Sequence, residues 1–365
     1  MNNTTAAAAV VAAPTDLLNL IYIHIYLYAV SFECIFGMIG NTLNIIIFTR
    51  PLLRSNSCAH YFLVASCDNL LTIFLYFIPD LLSKVYGIDA TNYSTILCKL
   101  RDYSNNLFLD FSSYCLVLAA VDRWCASSRK PKQREFCQVK IARRMIVGLI
   151  VLLVLAYLHM PFFHTVDQSL KLCIISDTVY LRFFTIFSTT VFTVMPPVFM
   201  ATFGVLTIWN VRHSRRTAGF AAATSGSRRG DAVILKLTQV GRGGVTLGGG
   251  QTDSTVIGGS NSSSVAVVQQ HQQKRRSERQ LLKMLLYQIL TYFALVCPAA
   301  VTFVMSGFLT QPTKIFLFLL ELALLPFFLN YCIGFYVYIL SASLYRQELV
   351  KILKLVKWWQ RRRTH

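Results

Sequence analysis

Seven apolar runs, each long enough to cross a lipid bilayer, dominate this 365-residue chain. They cover residues 21–48, 61–82, 96–126, 145–163, 180–209, 281–305 and 315–340. About 20 apolar residues in a helix, at ~1.5 Å each, match the hydrocarbon thickness of a membrane. No water is available there, so the backbone must satisfy itself within each segment. Closed barrels need short alternating strands, and these runs are too long and too continuous for that. The composition agrees: 55% of residues are hydrophobic and 14% charged, too few charges for a soluble chain of this length. The third run is the least apolar, because Asp102 and Asp110 interrupt it. The expected fold is an all-α membrane protein, a seven-transmembrane helix bundle with a C-terminal amphipathic surface helix.

The basic residues set the expected orientation. Of the 35 Lys and Arg, all but Lys84, Lys99, Arg101, Lys171, Arg182 and Lys314 fall in the connections after odd-numbered runs or at either end of those connections. Such asymmetry places the N-terminus outside and the C-terminus inside. The formal charge of +19 is then mostly topology and attraction to anionic inner lipid, and it gives no reason to expect nucleic acid. Residues 1–16 have no basic stretch before their short Ala/Val run, so no cleavable signal peptide is expected. The expected divisions are an extracellular arm (1–19), spans one to five (20–211), a cytoplasmic loop (212–276), spans six and seven (277–340) and an amphipathic helix with a tail (341–365). The loop is rich in Gly, Ser and Gln without periodicity and is expected to be disordered. It ends at Arg275-Arg276-Ser277, a phosphorylation-type sequence that also arises by chance. In the last segment Leu349, Ile352, Leu353, Val356 and Trp359 recur at helical spacing among Lys and Arg, a pattern suited to the membrane surface.

Chemistry-bearing residues are few. Asp122-Arg123-Trp124 closes the inner end of the third run and Cys98 stands near its outer end. Of ten cysteines, only Cys98 and Cys173 fall in outer segments, so they are the expected disulfide. Asn2, Asn3 and Asn92 open N-x-Ser/Thr sequons on the outer side and are expected glycosylation sites; Asn261 opens one on the inner side. Asp68 is a lone carboxylate in the middle of the second run, where a charge is costly and by default functional. Seven scattered histidines show no metal spacing, and no nucleophile–base pair can be named, so no enzyme is expected. No internal repeat or paired broken helices support a transporter.

Motifs occur in order along the runs. Gly40-Asn41 lies in the first and Leu63-Val64-Ala65-Ser66-Cys67-Asp68 in the second. The third carries Cys98, Ser112 and Asp122-Arg123-Trp124, and the fifth Pro196-Pro197. Pro298 lies in the sixth, with Glu278 upstream, and the seventh reads Asn330-Tyr331-Cys332-Ile333-Gly334-Phe335-Tyr336-Val337-Tyr338. Together they resemble the rhodopsin-like (class A) G-protein-coupled receptors, and within them invertebrate FMRFamide-type neuropeptide receptors. The sequence departs from that pattern at Val296, where the family has Trp before the proline of span six, and at Gly334, where it has Asn. The central Trp of span four and the inner Tyr of span five are missing.

The resemblance implies a plasma-membrane receptor for an extracellular ligand, a short neuropeptide. Its partners would be a heterotrimeric G protein at a cytoplasmic cleft around Arg123, arrestin and kinases at the long loop, and membrane lipids. Asp122, Arg123, Glu278 and Tyr338 would form the switch, and Pro298 and Pro197 the pivots. Asp68, Ser112 and Asn330 would hold a sodium ion; the alternative is a protonated Asp68 bonded to Asn41 and Asn330. Asn105 stands where amine receptors carry Asp, and Phe328 where opsins carry Lys, which argues against an amine or retinal. Asp102, Asn105, Asn106, Asp110 and Glu321, with Asp80 and Asp177, could line a cavity for a cationic peptide. The competing readings are local pairing of these acids with Lys84, Arg101 or Arg182, and a chemosensory receptor for a small odorant or lipid on the same fold.

Overall fold

The computed structural model describes residues 17–167, 172–214, 261–308 and 313–363. It is a bundle of long helices with one short hairpin. Span one is Leu17–Phe48, span two Ser57–Tyr86, span three Thr95–Ser127, span four Val139–Phe163 and span five Thr178–Ser214. Span six is Asn261–Phe308, and span seven is the pair Lys314–Leu329 and Gly334–Ser341, bent by 52°. A helix over Ser343–Arg363 follows. Among the described residues five helices are long and apolar enough to cross a membrane alone, and the bent pair makes a sixth. Span three completes the seven by length and position, although its polar residues make it less apolar than that set. The loop expected over 212–276 is shortened from both sides by helix, and residues 215–260 lie outside the described set.

Proline shapes three spans. Proline lacks an N–H and clashes with the carbonyl four residues back. In span two a π-turn over Ile73–Phe77 precedes Pro79, and in span five one over Thr189–Val194 precedes Pro196-Pro197. Each widens the helix where the i→i−4 ladder is already broken. Pro326 stands one turn ahead of the break at 330–333 in span seven. Pro298 sits inside a span six that stays helical throughout.

Span three is the hub. Five successive polar or backbone groups on it reach five different spans. Tyr331 of span seven donates to the Leu109 carbonyl (3.1 Å), and Tyr157 of span four donates to Asp110. Ser112 donates to Asn69 of span two (2.6 Å), and Tyr292 of span six to Ser113 (3.4 Å). Tyr114 donates to the Val191 carbonyl inside the span-five π-turn (2.8 Å), one of the carbonyls that the widened turn makes available. Span one joins through Asn69, which donates to Asn41 (3.3 Å). Asn41 in turn donates to the Tyr331 carbonyl (2.9 Å). In an apolar solvent each such bond replaces an unsatisfied group rather than a hydrated one. Small residues bring the backbones close. A Cβ on Gly37 would lie 2.6 Å from Ile73 and 2.7 Å from Cys332, so spans one, two and seven meet there only because nothing is attached.

The hairpin pairs His164–Asp167 with Leu172–Ile175, with Val166 opposite Cys173. Cys173 is bonded to Cys98, Cα to Cα 5.6 Å apart, so the connection after span four is tied to span three as expected. The bundle therefore has a disulfide end and, opposite it, a basic end. At the basic end the terminal helix lays Leu349 and Ile352 against the bundle, while Leu353 and Trp358 stay exposed. Its buried Glu348 takes Lys351 (2.6 Å) and Arg50 (4.0 Å), and Arg362 lies over the Trp358 ring.

Replacing Cys98 or Cys173 with Ser releases the hairpin. Loss of a native bridge costs about 2–5 kcal/mol in small secreted domains. We expect a lower thermal midpoint and reduced surface delivery for each single variant, with no further loss in the double variant; unchanged midpoints would show that the bridge is not formed.

Candidate functional site

The basic end holds a cleft of about 610 Å³. Its walls come from Ser55–Ser57 at the start of span two, the inner turn of span three, the short helix Pro131–Glu135 and Glu278 of span six. Arg123 forms its floor, only 4% exposed. The guanidinium donates to Asp122 Oδ2 from Nη2 (2.5 Å) and Nε (3.1 Å). Nη2 also donates to Asn56 Oδ1 (3.2 Å). Asn56 is itself the N-cap of span two, accepting from the Cys58 amide (3.0 Å). The Cys137 thiol donates to the Asp122 carbonyl (3.2 Å), and burial pushes that thiol up to about 12, so it stays protonated and able to donate. A buried ion pair is costly to strand, so opening this site needs a replacement partner for Arg123.

Two expected members of the switch are placed differently. Glu278 lines the cleft, but no ion pair joins it to Arg123 among the described residues; Asp122 and Asn56 already occupy the guanidinium. Tyr338 packs among Phe48, Phe62 and Tyr345, on the side of spans one and two. The neighbouring Ser277 is buried, so this conformation does not present it to a kinase. Span five closes the other side: Trp124 meets Phe203 with ring centroids 5.4 Å apart, and Asn210 donates to Ser127 (3.2 Å).

The sodium set is not assembled. No hydrogen bond joins the Asp68 side chain to the side chain of Ser112, Asn41 or Asn330; Ser112 is engaged by Asn69, and Asp68 lines a crevice shared with spans three and four. Asn330 Oδ1 is left without a partner. The reason is helix phase. Adjacent residues on a helix point about 100° apart, so span two turns Asn69 toward Asn41 and Ser112 while Asp68 points into the crevice between spans two, three and four. The oxygens present thus do not fit a shared ion, and the protonated alternative bonded to Asn41 and Asn330 is not seen either. Asn69 is the residue the sequence reading missed; a carboxamide beside a mid-span carboxylate was its only signal.

At the disulfide end the acids are mostly paired with local bases. Asp80 takes Lys84 (3.5 Å) and Arg101 (3.6 Å), and accepts from Tyr26. Glu321 takes Lys84 (3.2 Å) and accepts from Tyr22 (2.8 Å), which ties span seven to spans one and two. Asp177 is the N-cap of span five. Asp110 faces span four through Tyr157, away from any outer cavity. Asn106 donates back to the Asp102 carbonyl on its own helix (2.8 Å), and Asn105 is buried with Oδ1 unpartnered. Asp102 lies 3.5 Å from His164 Nε2 of the hairpin. Only Asp102, at 33%, and Glu321, at 39%, keep sizeable side-chain exposure in these pairs. Of the sequons, Asn92 lies on the turn Ala90–Asn92 next to this cluster, whereas Asn2 and Asn3 lie outside the described residues.

Asp89 organises the loop between spans two and three. Burial raises its carboxyl, but bonds from Thr91, Arg101 (2.6 Å) and Ser83 (2.9 Å) outweigh that and bring it to about 2, below its ordinary 3.8. A depressed folded-state value means the stabilisation is complete above the unfolded value and is lost as pH falls through the folded one. We expect the thermal midpoint of the wild type to fall between about pH 4 and pH 2 more steeply than that of Asp89→Asn, with the difference vanishing at the acid end; parallel curves would contradict this.

Comparison with known proteins agrees with this geometry. The family model of the 7 transmembrane receptor (rhodopsin family) matches residues 40–338. A curated relative, the FMRFamide peptide receptor frpr-18 of Caenorhabditis elegans, is 31% identical over 120 residues, covering 32% of this chain and 28% of that receptor. The aligned part is thus less than a third of either protein. Seven spans around a polar third helix, its disulfide, the buried Arg123 and a match over most of the length converge: this chain belongs to the rhodopsin family of seven-transmembrane receptors.

Proposed function

We propose that this protein is a plasma-membrane receptor for a short extracellular neuropeptide that activates a heterotrimeric G protein. The disulfide end faces outside, where Asn92 is available for glycosylation, and the basic end faces the cytosol. The observation that carries this reading is Arg123, buried at the floor of a 610 Å³ cleft and held by Asp122 and Asn56. A cleft of that kind suits a partner helix that ends in carbonyls and carboxylates, since these can take over the guanidinium when it leaves Asp122. Span six moves outward at its inner end, pivoting where Pro298 weakens the helix, and no charge pair to Glu278 has to break first. Peptide binding and G-protein binding favour the same conformation and so raise each other's affinity. The peptide enters at the disulfide end, where Asp102 and Glu321 are the acids open to a cationic side chain. Kinases and arrestin act on the long inner connection.

The relative's peptide ligand supports FMRFamide-like peptides as the first to try. The test is a neuropeptide library applied to cells expressing this chain with a broadly coupling G protein. We expect a response to an amidated peptide that Arg123→Ala abolishes and that Asp102→Asn or Glu321→Gln shifts to about tenfold higher concentration, the value of one charge-assisted bond. Silence across the library, with Arg123→Ala indistinguishable from wild type in basal signalling, would contradict the proposal.

Asn56 separates the resting restraint from the cap. Asn56→Asp keeps the cap and places a carboxylate on Arg123, so basal nucleotide exchange on the G protein should fall. Asn56→Ala removes a bond to a charged group, of order 1.5–3 kcal/mol, so basal exchange should rise about tenfold. Equal basal rates in the two variants would show that Asn56 does not restrain Arg123.

A further inference from the structure

Spans two, three and four leave a second cavity between them, of about 270 Å³. It lies within the spanning region and opens sideways, because Leu71, Ile150 and Cys67 on its rim are exposed on apolar helix faces. Its wall is apolar: Val64, Leu107, Phe108, Phe111 and Leu153. The exception is Asp68, 3% exposed, whose Oδ2 has no hydrogen-bond partner. No side chain among the described residues bonds this oxygen. The polar network of the core runs past it through Asn69, Ser112 and Asn41. A buried acid with one oxygen left without a partner is costly in either protonation state.

We propose that this crevice is an intramembrane binding site for a lipid-soluble amine, a compact apolar body carrying one amino group. The amine suits the site on three counts. Its body meets the apolar wall, and its route is the bilayer itself. Its nitrogen meets Asp68 whichever partner carries the proton: an ammonium donates to the carboxylate, and a free amine accepts from the carboxylic acid. A neutral alcohol of the same shape lacks the charge complementarity, and an acyl chain offers Asp68 nothing. This site is separate from the peptide entry at the disulfide end, so it would tune the receptor rather than trigger it.

The test uses the full-length receptor in phosphatidylcholine nanodiscs, with 1-aminoadamantane as the probe and 1-adamantanol as its matched neutral control. The thermal unfolding midpoint should rise saturably with the amine and not with the alcohol. Asp68→Asn should weaken the apparent affinity for the amine by about tenfold or more. Leu71→Trp fills the mouth of the crevice from its exposed side and leaves Asp68 in place, so it should also remove the effect even if Asp68→Asn proves unstable. Equal shifts with amine and alcohol, a shift that never saturates, or a shift that survives in both variants would each overturn the proposal.

Discussion

A polar helix in a solvent without water must find partners in other helices, and span three is that helix here. Its length suits a membrane but its many polar side chains do not. Leu109, Asp110, Ser112, Ser113 and Tyr114 each share one hydrogen bond with a different neighbour, the first, second and fourth accepting and the others donating, so five spans are fixed in rotation about one axis. The remaining span is held one step further out, through Asn69 and Asn41. Apolar packing alone would leave the helices free to slide and turn, because lipid tails are as apolar as leucine. The hydrogen bonds fix the register, and the disulfide then anchors the same helix at one end.

That arrangement explains how the two ends of the molecule can be coupled. The outer acids, the bridge and the hairpin all act on the first turns of span three, and Arg123 sits on its last. A rigid, multiply bonded axle transmits small displacements to elements with two packings. Three proline-weakened places, in spans two, five and seven, and Pro298 in span six lie within the spans around that axle. The inner restraint is local. Asp122 and Asn56 belong to span three and to the cap of span two, so span six is not latched by charge in this conformation.

Run length and apolarity made seven spans legible in the sequence, the third least clearly, because Asp102 and Asp110 interrupt it. The Cys98–Cys173 bridge followed from topology, since those were the two cysteines expected at the outer face. The break in span seven was not foreseen, although Pro326 signals it; the apolar run 315–340 continues straight through the bend, and hydropathy cannot see a backbone direction. The hairpin at His164–Ile175 is too short to carry a period. The mid-membrane polar set was half legible. Asn41 and Ser112 were found, but which of Asp68 and Asn69 faces them depends on rotation by one residue, which composition does not encode. The acids at the outer end were visible, and their pairing with Lys84 and Arg101 was the simpler of two readings. The partnership of Arg123 with Asn56 joins residues 67 apart, and nothing in the sequence singled out Asn56.

The cleft at Arg123 is the centre of the functional account, and a distance measures it most directly. Spin labels at Lys132→Cys, on the short helix beside span three, and Arg279→Cys, on span six, both occupy exposed positions at the rim. Cys67 and Cys297, exposed in the spans, would be replaced first. Pulsed dipolar spectroscopy, with and without a peptide copying the C-terminal helix of a G-protein α subunit, then reports the opening. The label separation should lengthen by several ångströms when the peptide binds, and the Arg123→Ala receptor should show no such change. A separation that stays fixed while the peptide is bound, or that lengthens equally without Arg123, would contradict the role assigned to this cleft.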